Sequence, residues 1–171
     1  WEVQFTNGSR ILLGARENGF GRGFAKVDII VYDEAQILTD KALDDMIPAA
    51  NASTFPAGAL VLYAGTPPTP ENPSEVFTRN RNDALAGTSD DMLWVECSAD
   101  PKVDPEKWPA GHIDFDAIAS ANPSYPARTP RPSILRMARQ LSRASLRREG
   151  LGIWDDGFGA KATILAPTWF A

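Results

Sequence analysis

The chain has 171 residues, of which 43% are hydrophobic and 23% are charged. This length suits one well-filled domain, and the composition excludes a disordered, collagen-like or disulfide-stapled chain. A single cysteine, Cys97, excludes an intrachain disulfide, and the apolar runs are far shorter than the roughly 18 to 20 residues that cross a bilayer. We therefore predict a packed domain that makes no contact with a membrane.

The formal net charge of −5 is unevenly distributed. Residues 28–116 carry seventeen acidic and five basic side chains, whereas residues 122–150 carry seven arginines and a single acidic residue, Glu149. A polyanion would therefore bind at the basic end. Four of these arginines fall on one face of a predicted helix. Three interpretations are open for this face: contact with DNA phosphates, contact with a neighbouring subunit, or a solvated surface. They are Arg136, Arg139, Arg143 and Arg147.

The first half of the chain alternates apolar runs with a helical pattern. The short apolar runs at residues 10–15 and 28–32 predict two buried strands. Thr39 is the predicted N-cap of a helix that Pro48 kinks or ends. A third apolar run, residues 59–64, ends abruptly and predicts another buried strand.

The second half begins with the same alternation and then becomes irregular. Ser74 is predicted to start a helix that reaches about Leu85, and residues 92–97 form a predicted fourth strand. A proline-rich irregular stretch, residues 101–132, precedes a long helix predicted over residues 133–148. The alternation of strands and helices predicts an α/β fold with a parallel sheet covered on both faces, whose ligands bind beyond the carboxyl ends of the strands.

Two adjacent carboxylates follow the apolar run of residues 28–32, which is a Walker B pattern. A buried parallel strand would carry Asp33 to its carboxyl end, where a carboxylate holds a hydrated Mg²⁺ beside nucleotide phosphates. Glu34 would then orient or deprotonate the water that attacks the γ-phosphate. The alternative reading is a strand that ends in a solvated acidic turn.

A hydroxyl follows the next predicted strand, in the sequence Gly65-Thr66-Pro67-Pro68. A threonine at the tip of the strand beside Walker B senses the γ-phosphate in many nucleotide hydrolases and passes its loss to a neighbouring element. The alternative is a structural turn, which Gly-Thr-Pro-Pro also favours.

A glycine-rich loop at residues 14–24 carries Arg22. On a mobile loop this arginine would act as a finger that stabilises the transferred phosphoryl group in the site of an adjacent subunit, or it is simply a solvated loop arginine. The loop is not a phosphate-binding Walker A motif, because no lysine in these 171 residues is followed by Ser or Thr.

Together these segments resemble the ATPase domain of the large terminase subunit of tailed bacteriophages. The resemblance covers nearly the whole chain, and its strength lies in the order and spacing of motifs that are individually unspecific. The matching segments are Gly8-Ser9-Arg10-Ile11, Gly19-Phe20-Gly21-Arg22-Gly23-Phe24, Asp33-Glu34-Ala35-Gln36, Gly65-Thr66-Pro67, Ala121-Asn122-Pro123-Ser124 and Arg148-Glu149-Gly150-Leu151-Gly152-Ile153-Trp154.

The resemblance implies a P-loop NTPase type of fold that uses ATP and Mg²⁺. Asp33 would bind the metal, Glu34 would be the catalytic carboxylate, Thr66 would lie in the coupling motif at the nucleotide, and Arg22 would be the trans-acting arginine. The implied partners are double-stranded viral DNA, the portal protein, the small terminase subunit and further copies of the chain in a ring, in the cytoplasm of the bacterial host.

Two parts of such a protein are missing from the sequence. Residues 1–150 resemble the C-terminal part of the ATPase domain without its Walker A region, and residues 151–171 resemble a linker toward an absent nuclease domain. Without the phosphate-binding loop we expect this chain alone to be inactive toward ATP. A helicase or translocase fragment, and a non-catalytic prophage remnant that only folds or binds partners, remain the alternatives.

Overall fold

The fold begins with an exposed hairpin in the computed structural model, which describes residues 1–15 and 20–155. Strands β1 (Glu2–Gln4) and β2 (Arg10–Leu12) pair antiparallel. The prediction of a buried strand at residues 10–15 is wrong in burial and in length: Ile11 and Leu13 are about half exposed. An apolar run becomes buried only when another element packs on it. None of the described residues buries this run.

A two-stranded parallel sheet carries the predicted Walker B segment. Strand β3 (Ile29–Tyr32) pairs in parallel with β4 (Leu60–Tyr63), residue 29 opposite 60 and residue 32 opposite 63. Helix α1 (Asp40–Ala50) connects them, as the strand–helix–strand pattern predicts. Helix α2 (Glu75–Ala86) follows β4.

The described residues cover the sheet on one face, and not on both as predicted. Ile30 and Tyr32 are buried in a core that α1 and α2 complete. The opposite face, which exposes between 44% and 60% of each side chain, consists of Ile29, Val31, Leu60 and Leu62. Parallel sheets are normally buried on both faces, so this apolar surface is unusual for its class.

The last third of the chain is helical and irregular. It contains α3 (Phe115–Ala121), α4 (Arg131–Gln140), α5 (Arg143–Ser145) and a π-helical segment, Leu146–Gly150. The predicted fourth strand at residues 92–97 is wrong, because these residues belong to neither sheet.

The single helix predicted over residues 133–148 is also wrong. The chain leaves the helical conformation at Leu141, where ψ is 148°. Ser142 then caps a new helix by accepting a hydrogen bond from the Ser145 N–H at 3.0 Å. Serine side chains compete in this way with the helical backbone, which favours a break over continuation.

A second core holds this part of the chain together. Ile118, Ile134, Leu151 and Ile153 are buried in it. Residues 16–19 of the predicted glycine-rich loop and residues 156–171 of the predicted linker lie outside the described residues. Within the described part, no helix combines the length and the apolar composition needed to span a membrane.

Candidate functional site

The carboxyl ends of the two parallel strands bring residues 33–36 and 64–66 side by side. The Ala64 N–H donates to the Tyr32 carbonyl at 2.9 Å, and the Ala35 N–H donates to the Ala64 carbonyl at 2.8 Å. The ladder therefore continues past the last residue of each strand. The predicted Walker B carboxylates and the predicted coupling threonine lie at one edge of one sheet.

Asp33 presents an exposed carboxylate directly after β3. Its Oδ1 accepts a 3.1 Å hydrogen bond from the Glu34 N–H. The described residues contain no group of three or more His, Cys, Asp and Glu side chains that could enclose a metal ion. Mg²⁺ is commonly held by one or two carboxylates together with water and substrate phosphates, so a single exposed aspartate fits that ion.

Glu34 occupies an unusual backbone conformation. Its φ of 53° and ψ of 51° lie in the left-handed region, which only a few per cent of non-glycine residues adopt. A short 3-10 turn, Ala35–Ile37, begins at the next residue. Strained conformations of this kind persist where the surrounding structure enforces them, and they concentrate at functional sites. The Glu34 side chain is exposed at this bend.

Gln36 links the two strand ends through its side-chain amide. Its Nε2 donates to Oε2 of Glu34, and its Oε1 accepts from the Thr66 N–H at 3.4 Å. The side chain is 8% exposed, so both of these contacts satisfy polar atoms that are shielded from water. The pattern of carboxylates that predicted the site gave no role to this residue.

Gly65 leaves the space that the Gln36 side chain occupies. A Cβ at position 65 would lie 2.3 Å from Gln36 Oε1 and 3.1 Å from the Ala35 nitrogen. A side chain at position 65 would therefore displace the Gln36 amide from its place between the two strand ends.

Thr66 is half buried and contacts a distant part of the chain. Its Oγ1 donates to Oε1 of Glu149 at 3.4 Å. Pro67 and Pro68 behind it are buried and fix the direction in which the chain leaves the sheet. Thr66 thus connects Gln36 on one side with the π-helical segment on the other.

Arg22 forms its contacts with α1. The guanidinium donates to Oδ1 of Asp45 at 2.8 Å, although 65% of the arginine side chain is exposed. The hydrogen bond from Arg22 is the largest of the effects that hold the pKa of Asp45 below its usual range. Arg22 would have to leave this ion pair to enter a neighbouring subunit's site.

The four arginines predicted to form one stripe are divided among three elements. Arg136 and Arg139 are exposed on α4, and Arg143 starts α5. Arg147 is only 19% exposed, and its Nη1 binds Asp155 Oδ1 at 2.8 Å. The stripe predicted for a single helix is therefore not continuous, and Arg147 contributes to internal packing.

A cavity of about 1160 Å³ adjoins the site. It is lined by β4, by residues 92–97 and by Arg148 of the π-helical segment. In the described part of the chain β4 pairs with β3 alone, so the backbone edge of β4 is not covered by a further strand. Comparison of the chain with protein-family models, with curated proteins and with solved structures finds no match.

Two residues that hold the site together were missed by the sequence analysis, although both stand out in the sequence once the structure is known. Gln36 completes the Asp-Glu-Ala-Gln sequence, and Glu149 is the single acidic residue between positions 122 and 150. A single acidic residue among arginines stands out in the sequence. No sequence pattern, however, shows that it contacts Thr66, 83 residues away.

Proposed function

We propose that this chain is part of the ATP-hydrolysing motor that packages viral double-stranded DNA, as a segment of the ATPase domain of a large terminase subunit. The observation that carries the proposal is the placement of Asp33, Glu34 and Thr66 at one edge of one parallel sheet, joined through Gln36. The portal protein, the small terminase subunit, a ring of copies and the bacterial cytoplasm belong to the same proposal.

The chain's own residues divide the work of hydrolysis. Asp33 would hold a hydrated Mg²⁺ through its exposed carboxylate, and the ion would supply charge neutralisation at the phosphates. Glu34 accepts a hydrogen bond from the attacking water, orients it and takes its proton. The Gln36 side chain contacts both Glu34 and Thr66. This connection suits Thr66 to respond to the state of the nucleotide.

The uncovered sheet supports the view that the chain is one part of a larger ATPase fold. The exposed apolar face of β3 and β4 and the open edge of β4 require further elements to complete a parallel sheet. None of the five lysines precedes a Ser or Thr, so this sequence holds no Walker A lysine for the β- and γ-phosphates. We expect the 171 residues alone to bind ATP weakly and not to hydrolyse it.

Calorimetric titration with Mg²⁺·ATP tests the proposal. The 171-residue chain is compared with a version extended at its N-terminus by whatever sequence is encoded upstream of Trp1. Tight binding by the extended version, together with hydrolysis that double-stranded DNA accelerates, supports a packaging motor. Hydrolysis accelerated by single strands instead supports a helicase or translocase, and the absence of nucleotide binding in both versions supports a non-catalytic remnant.

A further inference from the structure

We infer that Gln36 and Glu149 are positioning residues that connect the Glu34 carboxylate, through Thr66, to the π-helical segment Leu146–Gly150. The inference rests on the proposed function, because it assigns to the same site a route by which hydrolysis is passed to the rest of the molecule. Neither residue touches the reacting atoms in this scheme. Gln36 holds Glu34, and Glu149 receives the displacement of Thr66.

The first step is the Gln36 amide, which lies in a largely buried side chain between Glu34 and Thr66. The residue is 8% exposed, its amide nitrogen donates to the Glu34 carboxylate, and its amide oxygen accepts from the Thr66 N–H. A shift of the Glu34 carboxylate therefore reorients the amide, because a buried polar atom left without its partner is unfavourable. The Cβ-free space at Gly65 allows Gln36 to lie between the two strand ends.

The second step is Thr66, which is contacted on two sides. Its N–H donates to Gln36, and its Oγ1 donates to Glu149, both at 3.4 Å. Hydrogen bonds of this length are weaker than those near 2.9 Å, so these two contacts rearrange more easily than the 2.8 Å and 2.9 Å backbone bonds beside them. We therefore expect a displacement to reach Thr66 while the shorter backbone bonds of the sheet persist.

The third step is the firm attachment of the receiving segment to the second core. Leu146 is fully buried, and a Cβ at Gly150 would lie 2.7 Å from Leu146 and 3.0 Å from Met137 of α4. Arg148 binds Asp155 at 2.9 Å. A displacement of Glu149 is therefore passed to α4 and to the chain after residue 150. Glu149 lies in this π-helical segment, directly before the buried Gly150.

Amide NMR on the 171-residue chain tests the connection without any nucleotide. Glu34→Gln alters the exposed carboxylate, and we expect it to shift the Thr66 and Glu149 amide resonances more than any amide on the exposed side of α4. In a Gln36→Met background the same substitution should leave both resonances in place. The matched control is Gln140→Met, on the exposed end of α4, in which the shifts caused by Glu34→Gln should persist.

A substitution at Glu149, the other end of the connection, tests the inference if Gln36→Met does not fold. Glu149→Gln is an exposed substitution, and it should shift the side-chain amide resonances of Gln36. The inference is overturned if Glu34→Gln leaves Thr66 and Glu149 unshifted, if the shifts survive Gln36→Met, or if Glu149→Gln leaves the Gln36 amide unchanged.

Phosphate release by the N-terminally extended version separates this inference from the proposed function. Gln36→Met should lower kcat at least tenfold with little change in KM for ATP, because the substitution disturbs Glu34 and spares the phosphate contacts. If the wild type hydrolyses ATP through Glu34 and Gln36→Met keeps its kcat, the connection fails and the function stands. If the amide shifts appear but no version binds ATP, the connection stands and the function fails.

Discussion

At Gly65 a side chain would collide with the side-chain amide of Gln36. The obstacle is the Gln36 amide oxygen, which would lie 2.3 Å from a Cβ at this position, and the backbone conformation is not the cause, since no left-handed φ is needed there. Gln36 in turn fills the space between Glu34 and Thr66. The spacing of the two strand ends is therefore set by one glycine and one buried amide.

We predict that Gly65→Ala lowers the free energy of unfolding by about 1 to 3 kcal/mol, the usual cost of overfilling a packed site. Urea denaturation measures this loss. In a Gln36→Ala background the same substitution should cost clearly less, because the nearest obstructing atom is gone and only the backbone contacts at 3.1 Å and 3.3 Å remain. Equal costs in the two backgrounds would show that Gln36 is not what Gly65 accommodates.

Glu96 provides a pH-dependent contribution to stability. Arg81 forms two hydrogen bonds to it, at 2.7 Å and 3.0 Å, and the Trp94 indole donates at 3.0 Å. The hydrogen bond from Arg81 is the largest of the effects that hold the pKa of Glu96 below its usual 4.5. A carboxyl whose pKa is lowered by folding stabilises the fold above its unfolded pKa, and this stabilisation is lost as the pH falls through the lowered value.

We therefore predict that Glu96→Gln lowers the free energy of unfolding by up to about 1 kcal/mol at neutral pH. Urea denaturation from pH 7 down to pH 3 should show the difference between wild type and variant closing below about pH 4.5. Glu106→Gln, at an exposed position, serves as the control and should change little. A difference that stays constant across this pH range would contradict the role of the ionised carboxylate.

Among the elements, α1 has a beginning that follows directly from the sequence. Thr39 adopts an extended conformation and its Oγ1 accepts from the Ala42 N–H at 3.2 Å. This geometry confirms the predicted N-cap. Thr39→Ala should lower the free energy of unfolding by about 1 kcal/mol. Thr39→Ser should keep most of the stabilisation, because serine also accepts the capping hydrogen bond. Thermal or urea unfolding checks this, and equal losses for both variants would assign the effect to the threonine methyl group instead.

Elements defined by local signals were predicted well, and elements defined by partners were not. The cap at Thr39 and the apolar runs of β3 and β4 are properties of a few adjacent residues. A strand at residues 92–97 needs a neighbour to pair with, and the described chain provides none. The break at Leu141 depends on Ser142 preferring to cap, which the arginine spacing on either side does not reveal.

The site shows the same division. Asp33, Glu34 and Thr66 each follow an apolar run, so a parallel sheet places them at one edge from sequence alone. The contacts between them depend on Gln36 and on Glu149, which lie in no pattern that specifies their partners. The pairing of Arg22 with Asp45 likewise depends on the position of α1 relative to the loop.

At the scale of the whole molecule, the dominant feature is the apolar face of the parallel sheet that residues 1–15 and 20–155 leave uncovered. Leu62 is 44% exposed beside the open edge of β4. Exposed apolar strands at a sheet edge promote association between molecules. We predict that the 171-residue chain self-associates as its concentration rises and that Leu62→Lys reduces this association, as sedimentation velocity would measure.

Leu85→Lys is the matched control for that prediction. Leu85 is 64% exposed on α2 and belongs to neither strand of the sheet, so its substitution adds the same charge without altering a strand residue. Equal suppression by both variants would indicate a general effect of charge and would contradict a specific role for the uncovered face.

Phosphate release from Mg²⁺·ATP by the N-terminally extended protein tests the central claim most directly, namely that Asp33 and Glu34 act together at the end of β3. We predict measurable turnover in the wild type, a loss of at least a hundredfold in Glu34→Gln, and no turnover in the 171 residues alone. Turnover that Glu34→Gln leaves intact would contradict this claim.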